Sequence, residues 1–166
     1  MERNRRLIVM RHAKSSWSEP VATDHERPLN ARGRQAAPRV AAKLVEWDWE
    51  PEWVLSSDAV RTQETFAEMS TVLSVSPSVS FLPTLYHAGI AAVQRQIVDV
   101  PEEVQTVLLL GHSPGWEEVA WWLCGEELVL KTADAALMER QADDWSQAVR
   151  GQGTWKLWNL LRSREL

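Results

Sequence analysis

Arg5-Arg6-Leu7-Ile8-Val9-Met10-Arg11-His12-Ala13-Lys14-Ser15-Ser16-Trp17 is the stretch from which the fold is read. Leu7 to Met10 is an unbroken apolar run rich in β-branched and long aliphatic side chains, the composition of a strand buried on both faces. It stops abruptly at Arg11 and His12, then passes into small and hydroxylated residues. In an open α/β sheet, ligands sit beyond the carboxyl ends of the parallel strands. A guanidinium beside an imidazole at such an end makes an anion site with a candidate nucleophile in it. The same ending also fits a strand that merely stops in two solvated polar residues, so this stretch decides the fold before it decides a function.

The rest of the chain alternates in the same way. After a loop over residues 14 to 30, Asn30 is placed to cap a helix reaching Trp47, with Val40, Ala41, Leu44 and Val45 on its apolar face. Pro38 is expected in the first turn of the regular helix, which therefore starts near Ala37. Glu52 to Ser57 reads as a second strand, Asp58 to Leu73 as a helix, Ser78 to Leu82 as a third strand and Ala91 to Val100 as a helix. Thr106 to Leu110 is a second deeply buried strand, broken at Gly111-His112-Ser113-Pro114-Gly115 and followed by a helix to Cys124. Two further strands, Ala135 to Gln141 and Thr154 to Leu161, flank a helical turn over Asp144 to Val149. Strands alternating with helices predict an α/β three-layer sandwich, a mostly parallel central sheet with helices on both faces. The 166 residues suit one domain spanning 1–166.

Composition narrows the function. A net charge of -5 disfavours nucleic acid and anionic membrane surfaces as partners. Cys124 is the single cysteine, so no internal disulfide forms, and its apolar surroundings predict a buried, inert thiol. The basic start lacks the apolar length of a signal peptide, and no run approaches the roughly 20 apolar residues of a membrane span. A cytoplasmic protein is expected. Ten tryptophans are read mainly as apolar payload for core and rim. Trp17 is set apart, since its loop overhangs the end of the first strand.

Four histidines are present, and two of them, His12 and His112, end the two most apolar strands. Pro114 marks a helix start beside His112, where free N–H groups and the positive dipole end favour an anion. Ser57 or Asp58 is positioned to cap the helix that follows the second strand, which puts Arg61 in its first turn. A cation there opposes the helix dipole. A bound anion at the same sheet edge accounts for Arg61; so does a guanidinium that snorkels to water. Together Arg11, His12, Arg61 and His112 supply two guanidinium forks and two imidazoles. Two forks suffice to hold three phosphoryl oxygens, and a neutral histidine can attack phosphorus and carry the group covalently. Lys14 and Ser15 are candidates for further donors to substrate, and Trp17 for a contact over the pocket. No histidine–carboxylate set has metal-ligand spacing, so neither metal nor cofactor is expected.

These motifs resemble the histidine phosphatase superfamily, the group that includes phosphoglycerate mutase and acid phosphatases. Within it the chain is most similar to the compact SixA-type phosphohistidine phosphatases. Arg11-His12 resembles the family's Arg-His-Gly opening with Ala13 for the glycine, Ser56 to Thr65 the segment with its second arginine, and Gly111-His112 the segment with its second histidine. The resemblance implies a phosphorylated nucleophile at His12 and a phosphate pocket of Arg11, Arg61 and His112. It also implies a departure: where mutase-like members carry a glutamate as proton donor, this chain reads Leu85-Tyr86-His87-Ala88. A positioned acid is typically worth about 10²–10⁴-fold, and a phosphohistidine needs it less than an alkyl ester does. His87, Asp24 and Glu19 are conceivable substitutes, none of them assigned. Arg27 is read as structural and His25 as a solvated loop residue.

Three functions follow: a metal-independent phosphatase of protein phosphohistidine, a phosphatase of small phosphomonoesters, or a non-catalytic phosphate-binding module. The partner is thus a phosphorylated protein or a small phosphorylated substrate, with oligomeric state open and a monomer compatible.

Overall fold

The two apolar runs form the centre of a six-stranded sheet in a computed structural model that describes every residue except Glu19 and Ala22. The strands are β1 (Arg3–Arg11), β2 (Trp53–Ser57), β3 (Ser78–Leu82), β4 (Thr106–Gly111), β5 (Ala135–Ala142) and β6 (Lys156–Leu161). Their order is β3-β2-β4-β1-β5-β6. Only β5 runs against the others. The expected α/β sandwich with a mostly parallel sheet is the observed architecture.

Helices α1 (Ala31–Glu46), α2 (Val60–Ser70), α3 (Ile90–Gln96), α4 (Gly115–Cys124) and the short α5 (Trp145–Ala148) cover the sheet. Leu7 to Met10 and Val107 to Leu110 are wholly inaccessible to solvent. Because strand side chains alternate, Ile8, Met10, Leu108 and Leu110 pack with Val40, Leu44 and Met69 of α1 and α2. Leu7, Val9, Val107 and Leu109 pack on the opposite face with Val93, Trp116 and Leu123 of α3 and α4. The adjacent strands β1 and β4 therefore send their following helices to opposite faces, which places the topological switch point between their carboxyl ends.

Two local expectations are corrected. The regular part of α1 starts at Ala31, not near Ala37, because the Asn30 side chain accepts from the Gly33 N–H at 2.9 Å and closes the first turn. Pro38 then lies inside the helix. It removes the bond to the Arg34 carbonyl, but Arg34 is exposed to water, while Gly33, Ala37, Val40, Ala41 and Leu44 are buried on the other side. Burial of that face outweighs a proline penalty of about 3 kcal/mol. In α2 the cap position is Ala59, with no side-chain cap bond. Ser57 Oγ accepts from the Ala59 N–H at 3.2 Å instead, and Asp58 accepts from His25. Arg61 nevertheless remains in the first turn.

The tryptophans divide as their chemistry dictates. Trp116, Trp145 and Trp155 are buried, and each indole N–H finds a carbonyl, of Leu109, Val104 and Ala148 respectively. Trp158 is half exposed and stacks on buried Trp49 with centroids 5.2 Å apart. Among the described residues no helix is long and apolar enough to cross a membrane.

Candidate active site

Register brings the two histidines together. Arg11 pairs with Gly111 across the parallel β1–β4 ladder, so the next residue on each strand is a histidine. The His12 N–H donates to the Gly111 carbonyl at 3.0 Å, and the two imidazole centroids lie 5.3 Å apart. His12 is clamped on both sides: its carbonyl accepts from Ala133 N–H at 2.9 Å, and Ala13 N–H donates to Thr65 Oγ1 at 3.0 Å.

The partners of the His12 ring determine its tautomer. Nδ1 lies 2.7 Å from the Ala13 carbonyl, which only accepts, so Nδ1 carries the proton. Nε2 keeps its lone pair and accepts from Arg61 Nε at 3.3 Å. Arg61 is 1% exposed, so the first turn of α2 points it inward rather than to water. Its outer nitrogens donate to Asp24, Nη1 to the backbone carbonyl at 2.7 Å and Nη2 to Oδ2 at 2.9 Å. On the other side of the gap, His112 Nε2 lies 2.8 Å from Ser57 Oγ, and His112 Nδ1 is buried with no partner among the described residues. Arg11 Nη1 donates to the Leu130 carbonyl at 3.0 Å, while its buried Nε is likewise without a partner.

Burial and surrounding charge keep both imidazoles neutral. Burial first, then the positive charges of Arg61, Arg11 and Arg27, push the His12 pKa down to about 3, against an opposing hydrogen bond to the Ala13 carbonyl. Burial, then His12, Arg61 and His87, take His112 to about 2. The ring proton signals of both residues are therefore expected to stay flat in an NMR titration between about pH 8 and pH 5. A step centred near 6.5 would contradict the geometry. The unfolded chain does take up these protons at about 6.5. Stability is accordingly complete above that pH and declines as pH falls below it, which urea unfolding at several pH values measures.

Asp24 is a residue that the sequence offers only as one of three conceivable substitute acids, without assigning it. It stands in a single 3₁₀ turn, Asp24–Glu26, within the long loop after β1. Besides Arg61, it accepts from Arg27 Nε and Nη2 at 3.2 and 3.1 Å and from the Tyr86 hydroxyl at 2.5 Å, with His87 Nε2 at 3.3 Å. Burial alone raises its pKa, but the hydrogen bonds from Tyr86 and Arg61, with the Arg61 charge, overcome this and hold it well below the ordinary carboxylate range. The carboxylate absent from the segment 85–88 thus enters the site from a different loop, and Tyr86 and His87 form the wall it leans on. His87 adopts a left-handed φ of 51° and brings its ring to 4.7 Å from that of His112. Glu19, another conceivable acid, lies outside the described residues.

The remaining candidates are placed as follows. Ser15 is buried and its hydroxyl accepts from Arg27 Nη1, so it does not line the gap between the histidines. Trp17 is exposed and lies flat against the Arg27 guanidinium, 3.5 Å from its carbon. Arg27, read as structural, is also part of the electrostatic surroundings of His12. Lys14 turns to a separate cavity on the α1 side. His25 is not simply solvated: Nε2 lies 2.8 Å from Asp58 Oδ1, and its ring meets the Tyr86 ring edge-on.

Two neutral imidazoles with centroids 5.3 Å apart, and a buried guanidinium on the Nε2 of one of them, make a site suited to phosphoryl chemistry. Comparison with known proteins agrees. The sequence profile of the histidine phosphatase superfamily (branch 1) matches residues 7–86. An uncharacterized chloroplastic protein of Arabidopsis thaliana is 37% identical over 171 residues, covering 95% of this chain and 78% of that one. A protein of Agrobacterium tumefaciens described as a phosphohistidine phosphatase SixA superposes with a TM-score of 0.77 at 26% identity, over 95% of this chain and 97% of that one. The protein histidine phosphatase SixA complexed with tungstate gives 0.80 at 24% identity, over 96% and 98%. The chain belongs to the histidine phosphatase superfamily.

Proposed function

We propose that the chain is a metal-independent phosphatase that acts on protein phosphohistidine through a phosphohistidine intermediate on His12. The observation that carries this reading is the His12 tautomer: proton on Nδ1 toward Ala13, lone pair on Nε2 toward Arg61 and the gap. In the first step His12 Nε2 attacks phosphorus, a new N–P bond forms, and the bond from phosphorus to the substrate imidazole breaks. Arg61, Arg11 and His112 take the three equatorial oxygens, where charge spreads in the transition state. The departing imidazole takes its proton from water. Water then attacks the phosphoenzyme, the N–P bond breaks with its electron pair returning to His12 Nε2, the attacking water's proton neutralises the hydroxide left by the first step, and inorganic phosphate is released.

The ionised state of Asp24 favours a phosphoramidate over an alkyl ester. A carboxylate held this low has no proton to give to an alkoxide at neutral pH, while an imidazole leaves without a strong acid. The test compares kcat/KM for a phosphohistidine peptide and for an alkyl phosphate, with chelator present. A ratio of about 10² or more is expected, with an acid-labile phosphoenzyme seen by rapid quench. A ratio near unity sinks the substrate assignment.

A specific observation also favours a second reading, the small phosphomonoester. Asp24 Oδ2 shares the Arg61 fork, and a dianionic phosphate arriving beside it raises its pKa toward that of a proton donor. In that case Asp24→Asn slows the alkyl phosphate far more than the phosphohistidine peptide. Action as one domain in the cytoplasm is part of the same proposal.

A further inference from the structure

Beside the phosphoryl site lies a cavity of about 400 Å³ whose lining includes Lys14, Arg32, Arg39, Lys131 and Arg164. All five are exposed, and among the described residues none of their side chains makes an ion pair or hydrogen bond. On a chain of net charge -5 such a gathering of one sign is not the average surface. Nor does helix stability account for it. Arg32 sits in the first turn of α1, which has no acidic residue, and a cation there opposes the helix dipole.

Among the described residues the one carboxylate in the lining, Asp134, is buried and already committed. It accepts from Arg162 Nη1 at 2.8 Å and from the backbone N–H groups of Lys131 and Ser163 at 2.9 and 3.0 Å. Its charge is therefore neutralised within the wall, and its bonds tie the loop before β5 to the tail after β6. The facing wall is held as firmly. Asn30 N–H donates to the Lys14 carbonyl at 3.0 Å, and a Cβ on Gly33 would lie 2.2 Å from that carbonyl oxygen. Only glycine at 33 lets the first turn of α1 lie against Lys14. The cations are thus carried on rigid walls, which lowers the cost of gathering an anionic ligand.

The cavity adjoins the phosphoryl site along the chain itself. Lys14 is two residues past His12, at most about 7 Å between Cα atoms, and Ala133, beside Thr132 in the other wall, donates to the His12 carbonyl.

We propose that this cavity binds the carboxylates of an acidic segment flanking the phosphorylated residue of a protein substrate. The partner's chemistry rests on the phosphohistidine reading above. Five cations on several segments exceed what one small anion needs, and arginine forks match carboxylates bidentately. Among the described residues no aromatic ring lines the cavity to stack a nucleic-acid base, and its walls are concave rather than flat like a lipid surface.

The test uses fluorescence anisotropy with an unphosphorylated Asp/Glu-rich peptide and its Asn/Gln counterpart. The acidic peptide is expected to bind about tenfold or more tighter, with affinity falling as salt rises. The exchange Arg39→Glu with Lys131→Glu, on opposite walls and both exposed, abolishes that preference. In turnover, phosphohistidine peptides with acidic flanks show a lower KM than neutral ones, with kcat little changed. Equal binding of the two peptides overturns the proposal, as does a preference that survives the double exchange. Binding of inorganic pyrophosphate but not of the acidic peptide also overturns it, in favour of a small polyanion. If neither phosphopeptide is hydrolysed, the functional reading fails, and the anisotropy still decides the cavity.

Discussion

His12→Ala is expected to lower kcat by about 10⁴-fold or more, because in the proposed mechanism it deletes the atom that forms the covalent bond to phosphorus. The loss should fall on kcat and not on KM. Arg11, Arg61 and His112 stay in place, so the oxyanion cradle survives and phosphate or vanadate still binds. The acid-labile phosphoenzyme disappears altogether. Alanine also leaves the backbone bonds of His12 to Gly111 and Ala133 intact, so the melting temperature serves as the check on folding. A variant that retains activity within tenfold of the parent eliminates covalent catalysis at this position.

Arg61→Ala has a different signature, with kcat/KM falling by about 10³-fold. The guanidinium is buried and joins His12 Nε2 to Asp24, so its loss removes a proposed phosphoryl ligand and frees Asp24 from part of its anchorage. Arg61→Lys restores little, since an ammonium is a single point charge and does not span His12 and Asp24 as the fork does. Vanadate separates the two substitutions. It raises the melting temperature of the His12→Ala protein and leaves that of the Arg61→Ala protein unmoved. Undiminished stabilisation of Arg61→Ala by vanadate would remove Arg61 from the phosphoryl site.

The two buried strands were legible because a continuous apolar run has few solutions in a soluble chain, and because each run stops sharply at a histidine. The turn chemistry of Asn30 was legible for the same local reason, as its side chain serves an N–H three residues on. Pro38 misled, since a local rule about proline was overridden by the buried face of α1. The helix cap after β2 was misassigned between Ser57 and Asp58, because His112, Ala59 and His25 compete for those side chains. Those competitors lie on other segments and have no trace in the local pattern.

Asp24 shows where local reading stops. It lies in an aperiodic loop, and its partners Arg61, Tyr86 and His87 are 37, 62 and 63 positions away. Ser15 and Lys14 illustrate the converse. Both neighbour His12 in the chain, yet Ser15 turns to Arg27 and Lys14 to the cationic cavity. Adjacency in sequence places a Cα atom; the path of the backbone decides where the side chain goes.

By itself the sequence determined which segments must be buried strands, that two of them end in histidine, and that arginines accompany them. Those properties follow from hydrophobicity and residue chemistry within a few neighbouring positions. Tertiary structure alone decided the β1–β4 register that sets the imidazoles side by side, the neutral His12 tautomer with its lone pair toward Arg61, and the arrival of Asp24. Each of these depends on hydrogen bonds between segments far apart in the chain, whose geometry no local pattern encodes.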